Sequence, residues 1–215
     1  MNNPNKNKNI YKLKINSIMK YIQSINEFEN NSQKNNIKIH RIAFYDFDGT
    51  IIDSPTPEMG KLIWEKKKKR LYPHKCWWSK KESLDFDVFE LKPISEIIER
   101  LNKDIKDEHC WVVLLTNRMV KLEDEVSDVL DTLNIRFDEF QMYTDRNEPK
   151  SIRIKNVLQN YPQAHFIDIY DDDLDNLTAF VELRDELQQD GYAVQVFQVL
   201  PENYKPSRIN AIKQN

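Results

Sequence analysis

Short unbroken apolar runs alternate along this chain with stretches whose apolar residues return every three or four positions. The first run, Ile42-Ala43-Phe44-Tyr45, predicts a strand buried on both faces, because a sheet with one wet face would impose polar residues at alternate positions. Further strands are predicted over 112–115, 137–142, 164–170 and 192–200. Helical spacing falls between them, over 58–69, at Ile94, Ile97, Ile98 and Leu101, and over 122–133. It returns at Ile154, Val157, Leu158 and Tyr161, where Pro162 is the stop, and again over 177–187. Strand and helix take turns throughout, which predicts an α/β fold built on a doubly wound, Rossmann-like parallel sheet.

One interval breaks the rhythm. Roughly sixty residues separate the first strand from the second, too many for a plain connection. Pro55 and Pro57 lead the chain out of the sheet, so the region 51–92 is expected to form a small flap or cap. The folded domain is expected over 37–202, with a C-terminal tail over 203–215. Residues 1–36 form an Asn- and Lys-rich extension in which Tyr11, Ile15, Ile18, Ile22 and Ile25 place one amphipathic helix, with a linker over 30–36.

Composition removes several classes of function. Only 3 glycines occur in 215 residues, and neither a dinucleotide fingerprint nor a P-loop is found. Cys76 and Cys110 are too few for a disulfide framework or a zinc site, which favours a reducing, intracellular setting. The apolar runs are far too short for a membrane span, so a soluble protein without a membrane partner is expected. The formal net charge of -3 is uneven: residues 1–38 hold seven Lys against two Glu, +5 in all, which leaves -8 beyond them. That basic end either approaches a polyanion or is a solvated tail.

Candidate chemistry collects at the predicted strand ends. Asp46 and Asp48 follow the first strand; side chains two apart in extended chain point the same way, and Gly49 allows a sharp turn directly after them. Two acids held this close call for a cation or a shared proton. Thr116 closes the second strand and Asp171 and Asp172 close the fourth, with Lys150 and Lys155 shortly before it. A placed nucleophile, a cation and acids that bind Mg²⁺ are the parts that phosphoryl transfer requires.

With Asp46-Phe47-Asp48-Gly49-Thr50, Thr116, a lysine and Asp171-Asp172, the sequence resembles the haloacid dehalogenase-like phosphohydrolases. The resemblance implies that Asp46 attacks phosphorus, that Asp48 serves as acid and then base, and that Thr116 and the lysine hold the phosphoryl group. It implies Mg²⁺ held by Asp46, Asp171, Asp172 and Asp48, the last through its carbonyl. A narrower likeness over most of 40–202 is to the phosphatase-like domain of the Swiss Army Knife RNA repair proteins. It is carried by Ser54-Pro55-Thr56-Pro57, Leu62-Ile63-Trp64, Trp77-Trp78, Leu114-Leu115-Thr116-Asn117-Arg118, Ile135-Arg136-Phe137-Asp138, Ser151-Ile152-Arg153-Ile154-Lys155 and Ile169-Tyr170-Asp171-Asp172. Asn117 stands where that group usually has glycine, and Asp173 where it often has arginine. Lys155 fits the group's spacing and is the lysine chosen, with Lys150 as the alternative.

Substrate contacts are expected from Gly49, Thr50, Asn117 and Arg118. Trp64 and Trp78 could stack on bases or pack within the flap. The basic run 66–70 could track a nucleic-acid backbone or form a solvated face. Asp173 and Asp175 suit a helix N-terminus, Asn176 caps, packs or braces the metal site, and the four histidines share no ligand spacing. The expected function is that of a Mg²⁺-dependent phosphomonoesterase, a phosphoric ester hydrolase, acting on a phosphorylated nucleic-acid end. No ligase or kinase motif is present, so an end-repair role would need other repair enzymes as partners. The alternatives are a small-metabolite phosphatase and a non-catalytic nucleic-acid-binding module.

Overall fold

The six-stranded sheet of this protein has its first strand near the middle, and everything chemical hangs from that placement. The computed structural model describes residues 37–144, 148–201 and 207–213. The chain divides into two units at Lys38, and the helix and linker expected over 1–36 lie outside the described residues. The sheet belongs to the unit from Ile39 onward.

Strand β1 (Arg41–Tyr45) leads to a small antiparallel pair, β2 (Ile52–Asp53) and β3 (Lys92–Pro93), which brackets helix α1 (Pro57–Lys68) and a 3-10 turn (Lys81–Leu84). There follow α2 (Ser95–Lys106), β4 (Cys110–Met119), a second 3-10 turn (Val120–Leu122), α3 (Glu123–Thr132), β5 (Glu139–Tyr143), α4 (Lys150–Asn160), β6 (Phe166–Asp171), α5 (Leu174–Gln189), β7 (Ala193–Val199) and β8 (Ile209–Ala211). The strand order is β5-β4-β1-β6-β7-β8; all neighbours pair in parallel except β8, which runs antiparallel to β7. Residues 209–211, expected in the tail, thus form an edge strand. They carry neither an apolar run nor an alternating pattern by which a strand could be read.

The unbroken apolar run of β1 is explained by two cores. Ala43 and Tyr45 join Ile97 and Leu101 of α2 and Val126, Val129 and Leu130 of α3. Ile42 and Phe44 join Ile154, Val157 and Leu158 of α4 and Leu177, Phe180, Leu183 and Leu187 of α5 on the other side. Covering both faces leaves no polar position in the strand. Beneath the strand ends on the α2 side, the rings of Tyr45, Tyr170 and Phe197 stack across β1, β6 and β7 with centroids 4.5 and 4.6 Å apart. The Tyr45 hydroxyl donates to Asp104 at 2.6 Å, and Arg41 ties Asp104 to Asp168 at 2.8 and 3.0 Å.

The region expected as a flap has a separate aromatic core of Trp64, Trp77, Val88 and Phe89. Gly60 makes this possible, since a methyl group there would overlap the Trp77 ring. Trp64 is 2% exposed and has the Arg70 guanidinium over its ring. It cannot stack on a base, which corrects its candidacy as a substrate contact and leaves packing within the flap, the other role open to it. Strand β4 runs past Thr116, where the polar residues had suggested an end, and its register against β5 shifts between Leu115 and Met119. Among the described residues no helix is long and apolar enough to cross a membrane.

Candidate active site

From β1 the chain moves outward to β4 and β5, then returns across β1 to β6. The carboxyl ends of β1 and β6 therefore flank a topological switch point, where open α/β sheets form crevices. Asp46 continues the ladder, its N–H donating to the Tyr170 carbonyl at 2.9 Å. The chain then folds back on itself: Ile51 and Ile52 both donate to the Phe47 carbonyl, and Gly49 donates to Ile52 at 2.8 Å. Thr50 is fully buried by this turn and does not line the crevice, which corrects its expected role as a substrate contact.

The crevice has a volume of about 340 Å³. Asp46, Asp48, Gly49, Trp78, Thr116, Asn117, Arg118, Lys150 and Asp172 line it, with Ser54 and Thr56 from the start of the flap region. Residues from five separated segments thus meet. Lys150, the first residue of α4, places its ammonium 2.6 Å from Asp46 and 2.7 Å from Asp171, and it is almost fully buried. Lys155 is instead paired with Glu186 at 2.6 Å on the surface, so the choice of Lys155 is corrected to Lys150. The two lie five residues apart, a rotation of about 140° around a helix, so they cannot share a face.

Carboxylate oxygens of Asp46, Asp171 and Asp172 lie within 4.8 Å of one another. Burial pushes the Asp46 carboxyl well up, Lys150 opposes that, and Asp171 and Asp172 add to it. Asp172 is pushed up to about 7, by burial first and by Asp171 second. Burial alone would lower the Lys150 ammonium, but Asp46 and Asp171 outweigh it and raise it. Three carboxylates against one ammonium leave two negative charges in excess when all are ionised. That surplus, and an all-oxygen donor set this close, fit a hard divalent cation; oxygens around one Mg²⁺ lie up to about 4.2 Å apart. Asp171 is the most committed of the three, its oxygens also accepting from the Asp173 N–H at 2.9 Å and the Asn176 amide at 3.2 Å. Asn176 thus braces the cluster, while Asp173 caps α5 by accepting from the N–H groups of Asp175 and Asn176.

The carboxylate of Asp48 stands apart from that cluster. Arg118 grips it with two bonds, Nε to Oδ2 at 2.7 Å and Nη2 to Oδ1 at 2.8 Å. Thr116 accepts the Arg118 N–H at 3.1 Å, so its own proton remains available to a ligand. Arg153 has no counterpart among the expected site residues. Its buried guanidinium, held below its ordinary pKa by burial, donates to the carbonyls of Thr116 and Gln141 at 2.8 and 2.7 Å and to the Asn117 side chain at 2.6 Å. It bridges the place where the β4–β5 register shifts, and only its position three residues after Lys150, on the same helix face, hinted at it.

Gly49 lies at φ 70° against Asp172, and a methyl group there would overlap the Asp172 carboxylate. Gly49→Ala is expected to cost on the order of 1–3 kcal/mol of stability through backbone strain and the forced displacement of that carboxylate. Chemical denaturation measures it.

No family model matches the sequence, and no curated protein is significantly similar to it. Among solved structures there are partial likenesses. The structural neighbours include haloacid dehalogenase-like hydrolases. A family hydrolase from Streptococcus pneumoniae is 18% identical with a TM-score of 0.47, over 68% of this chain and 81% of that one. The corresponding domain of effector protein Lem4 from Legionella pneumophila is 16% identical with a TM-score of 0.49, over 78% and 89%. A chain of the Pnkp1/Rnl/Hen1 complex is 16% identical with a TM-score of 0.47. This protein covers 77% of its own length in that match but only 47% of the other chain. These likenesses assign no chemistry.

Proposed function

We propose that this protein is a Mg²⁺-dependent phosphomonoesterase that works through an aspartyl-phosphate on Asp46 and releases the terminal phosphate of a nucleic-acid end. The observation that carries the hydrolytic part is the meeting of Asp46, Lys150, Asp171 and Asp172 beside the separately held Asp48. A carboxylate oxygen of Asp46 attacks phosphorus, and the bond to the leaving oxygen breaks as that oxygen takes a proton from Asp48. Asp48, now ionised, takes a proton from the water that splits the aspartyl-phosphate and frees Asp46. Lys150 opposes the upward push of burial on the Asp46 carboxyl and so favours its ionised, nucleophilic form, and Thr116 donates to a phosphoryl oxygen. Asp46 and Asp172, with Asp171 behind them, would hold Mg²⁺, which when bound offsets the negative charge that otherwise repels a phosphate.

The nucleic-acid part is supported by Trp78, partly exposed at the crevice, and by Lys66, Lys67 and Lys68 in the last turn of α1, the helix that Thr56 caps. Oligonucleotides phosphorylated at the 3' or the 5' end should release inorganic phosphate with Mg²⁺ and stop when it is chelated. Release only from small phosphate esters would transfer the reading to a metabolite phosphatase. The metal has its own test: at a hundredfold excess over Kd, Mg²⁺ should stabilise the fold by roughly 2–3 kcal/mol. That gain should vanish in Asp172→Asn, and an equal gain in that variant would remove Asp172 from the metal site.

A further inference from the structure

We propose that Ser83 is the positioning residue for Asp48 and acts through Arg118; this rests on Asp48 being the acid and base of the hydrolysis above. Arg118 is 1% exposed, and four of its N–H bonds have acceptors. Nε and Nη2 form the fork on Asp48, while Nη1 donates to the Ser83 hydroxyl at 2.6 Å and to the Trp78 carbonyl at 3.4 Å. A planar guanidinium with one edge fixed has only one way to present the opposite edge, so the bond to Ser83 sets the plane in which the Asp48 carboxylate lies.

Ser83 is itself immobile. Its side chain is fully buried, its hydroxyl donates to the Lys80 carbonyl at 2.6 Å, and its N–H donates to the same carbonyl at 3.1 Å. Those bonds leave the hydroxyl lone pair for Arg118. The next residue, Leu84, is buried in the core shared by β1, β4, α2 and α3, not in the aromatic core around Trp64. The strut that ends on Asp48 thus starts from the rigid body of the fold. The rings of Phe47 and Trp78, 5.7 and 5.4 Å from the guanidinium carbon, close its sides.

In Ser83→Ala the guanidinium loses the acceptor that fixes its outer edge, and Asp48 loses its fixed orientation. Protonation of the leaving oxygen matters most when that oxygen is a poor leaving group. Ser83→Ala should therefore lower kcat/KM about tenfold for an alkyl phosphate such as a nucleoside monophosphate, and at most about twofold for p-nitrophenyl phosphate. Ser83→Thr, which keeps the hydroxyl, should restore the alkyl substrate. In an Asp48→Asn background the extra loss from Ser83→Ala should disappear. Equal losses on both substrates would show a merely structural serine and overturn the proposal. Should the wild-type protein hydrolyse neither ester and release nothing from a phosphorylated oligonucleotide, the enzymatic reading fails, and the coupling is read from urea midpoints. The Ser83→Ala/Asp48→Asn double variant should then lose less than the sum of the single variants, and strict additivity would overturn the link.

Discussion

Asp46→Asn is expected to abolish phosphate release while leaving the protein folded. The substitution keeps the size of the side chain and removes the proposed nucleophile at the carboxyl end of the central strand, so a loss of at least about 10³-fold is expected. Stability should hold or rise. The carboxyl is pushed up mainly by burial, so its charged form is unwelcome in the fold, and Lys150 keeps Asp171 as a partner when that charge is gone. Turnover on an aryl phosphate and thermal melting of the same preparation check both halves. Substantial activity in a well-folded Asp46→Asn protein would remove Asp46 as the nucleophile.

Lys150→Met should fail in a second way, in activity and stability together. The ammonium sits between two buried carboxylates, and taking it away leaves Asp46 and Asp171 facing each other without a counter-charge. Removing one member of such a buried group costs about 3–5 kcal/mol. Turnover should fall about 10²–10³-fold, as for other lost electrostatic contacts at a developing charge. Lys155→Met is the control. Its partner Glu186 is exposed, and surface pairs of this kind contribute about 0.2–1 kcal/mol, so folding and turnover should barely change. If the Lys155 variant rather than the Lys150 variant loses activity, the placement of the lysine is wrong.

The contrast between these lysines shows where sequence reading reaches its limit. The strand ends were legible because period and polarity change there: the apolar run stops at Asp46, and the fourth strand stops at Asp171. Those signals are local, and they also predict the parallel sheet. Which lysine enters the crevice depends on the phase of α4, and hence on whether the helix begins at Lys150 or a turn later. Pro149 marks the start, but spacing alone does not say which face meets the sheet. Trp64 failed for the same reason on α1, where Gly60 was the overlooked sign of a close ring. Arg153 left only its spacing from Lys150 as a hint, and Ser83 left none. Arg153 bonds to backbone oxygens, and Ser83 meets Arg118 across 35 residues, so neither set of partners can be read from its own neighbourhood.

The column of three rings under the strand ends has a bearing on the acids above it. Tyr45 and Tyr170 sit opposite each other in register, and each is followed directly by an acid, Asp46 or Asp171. Mutual repulsion of these acids would tend to pry the two strands apart at their tips. The rings lie nearly parallel, 4° from coplanar, on the reverse side of the sheet, where they act as a clasp that holds the tips at a fixed pitch. The spacing of the acids is thus set in part by oily plates on the far face of the sheet.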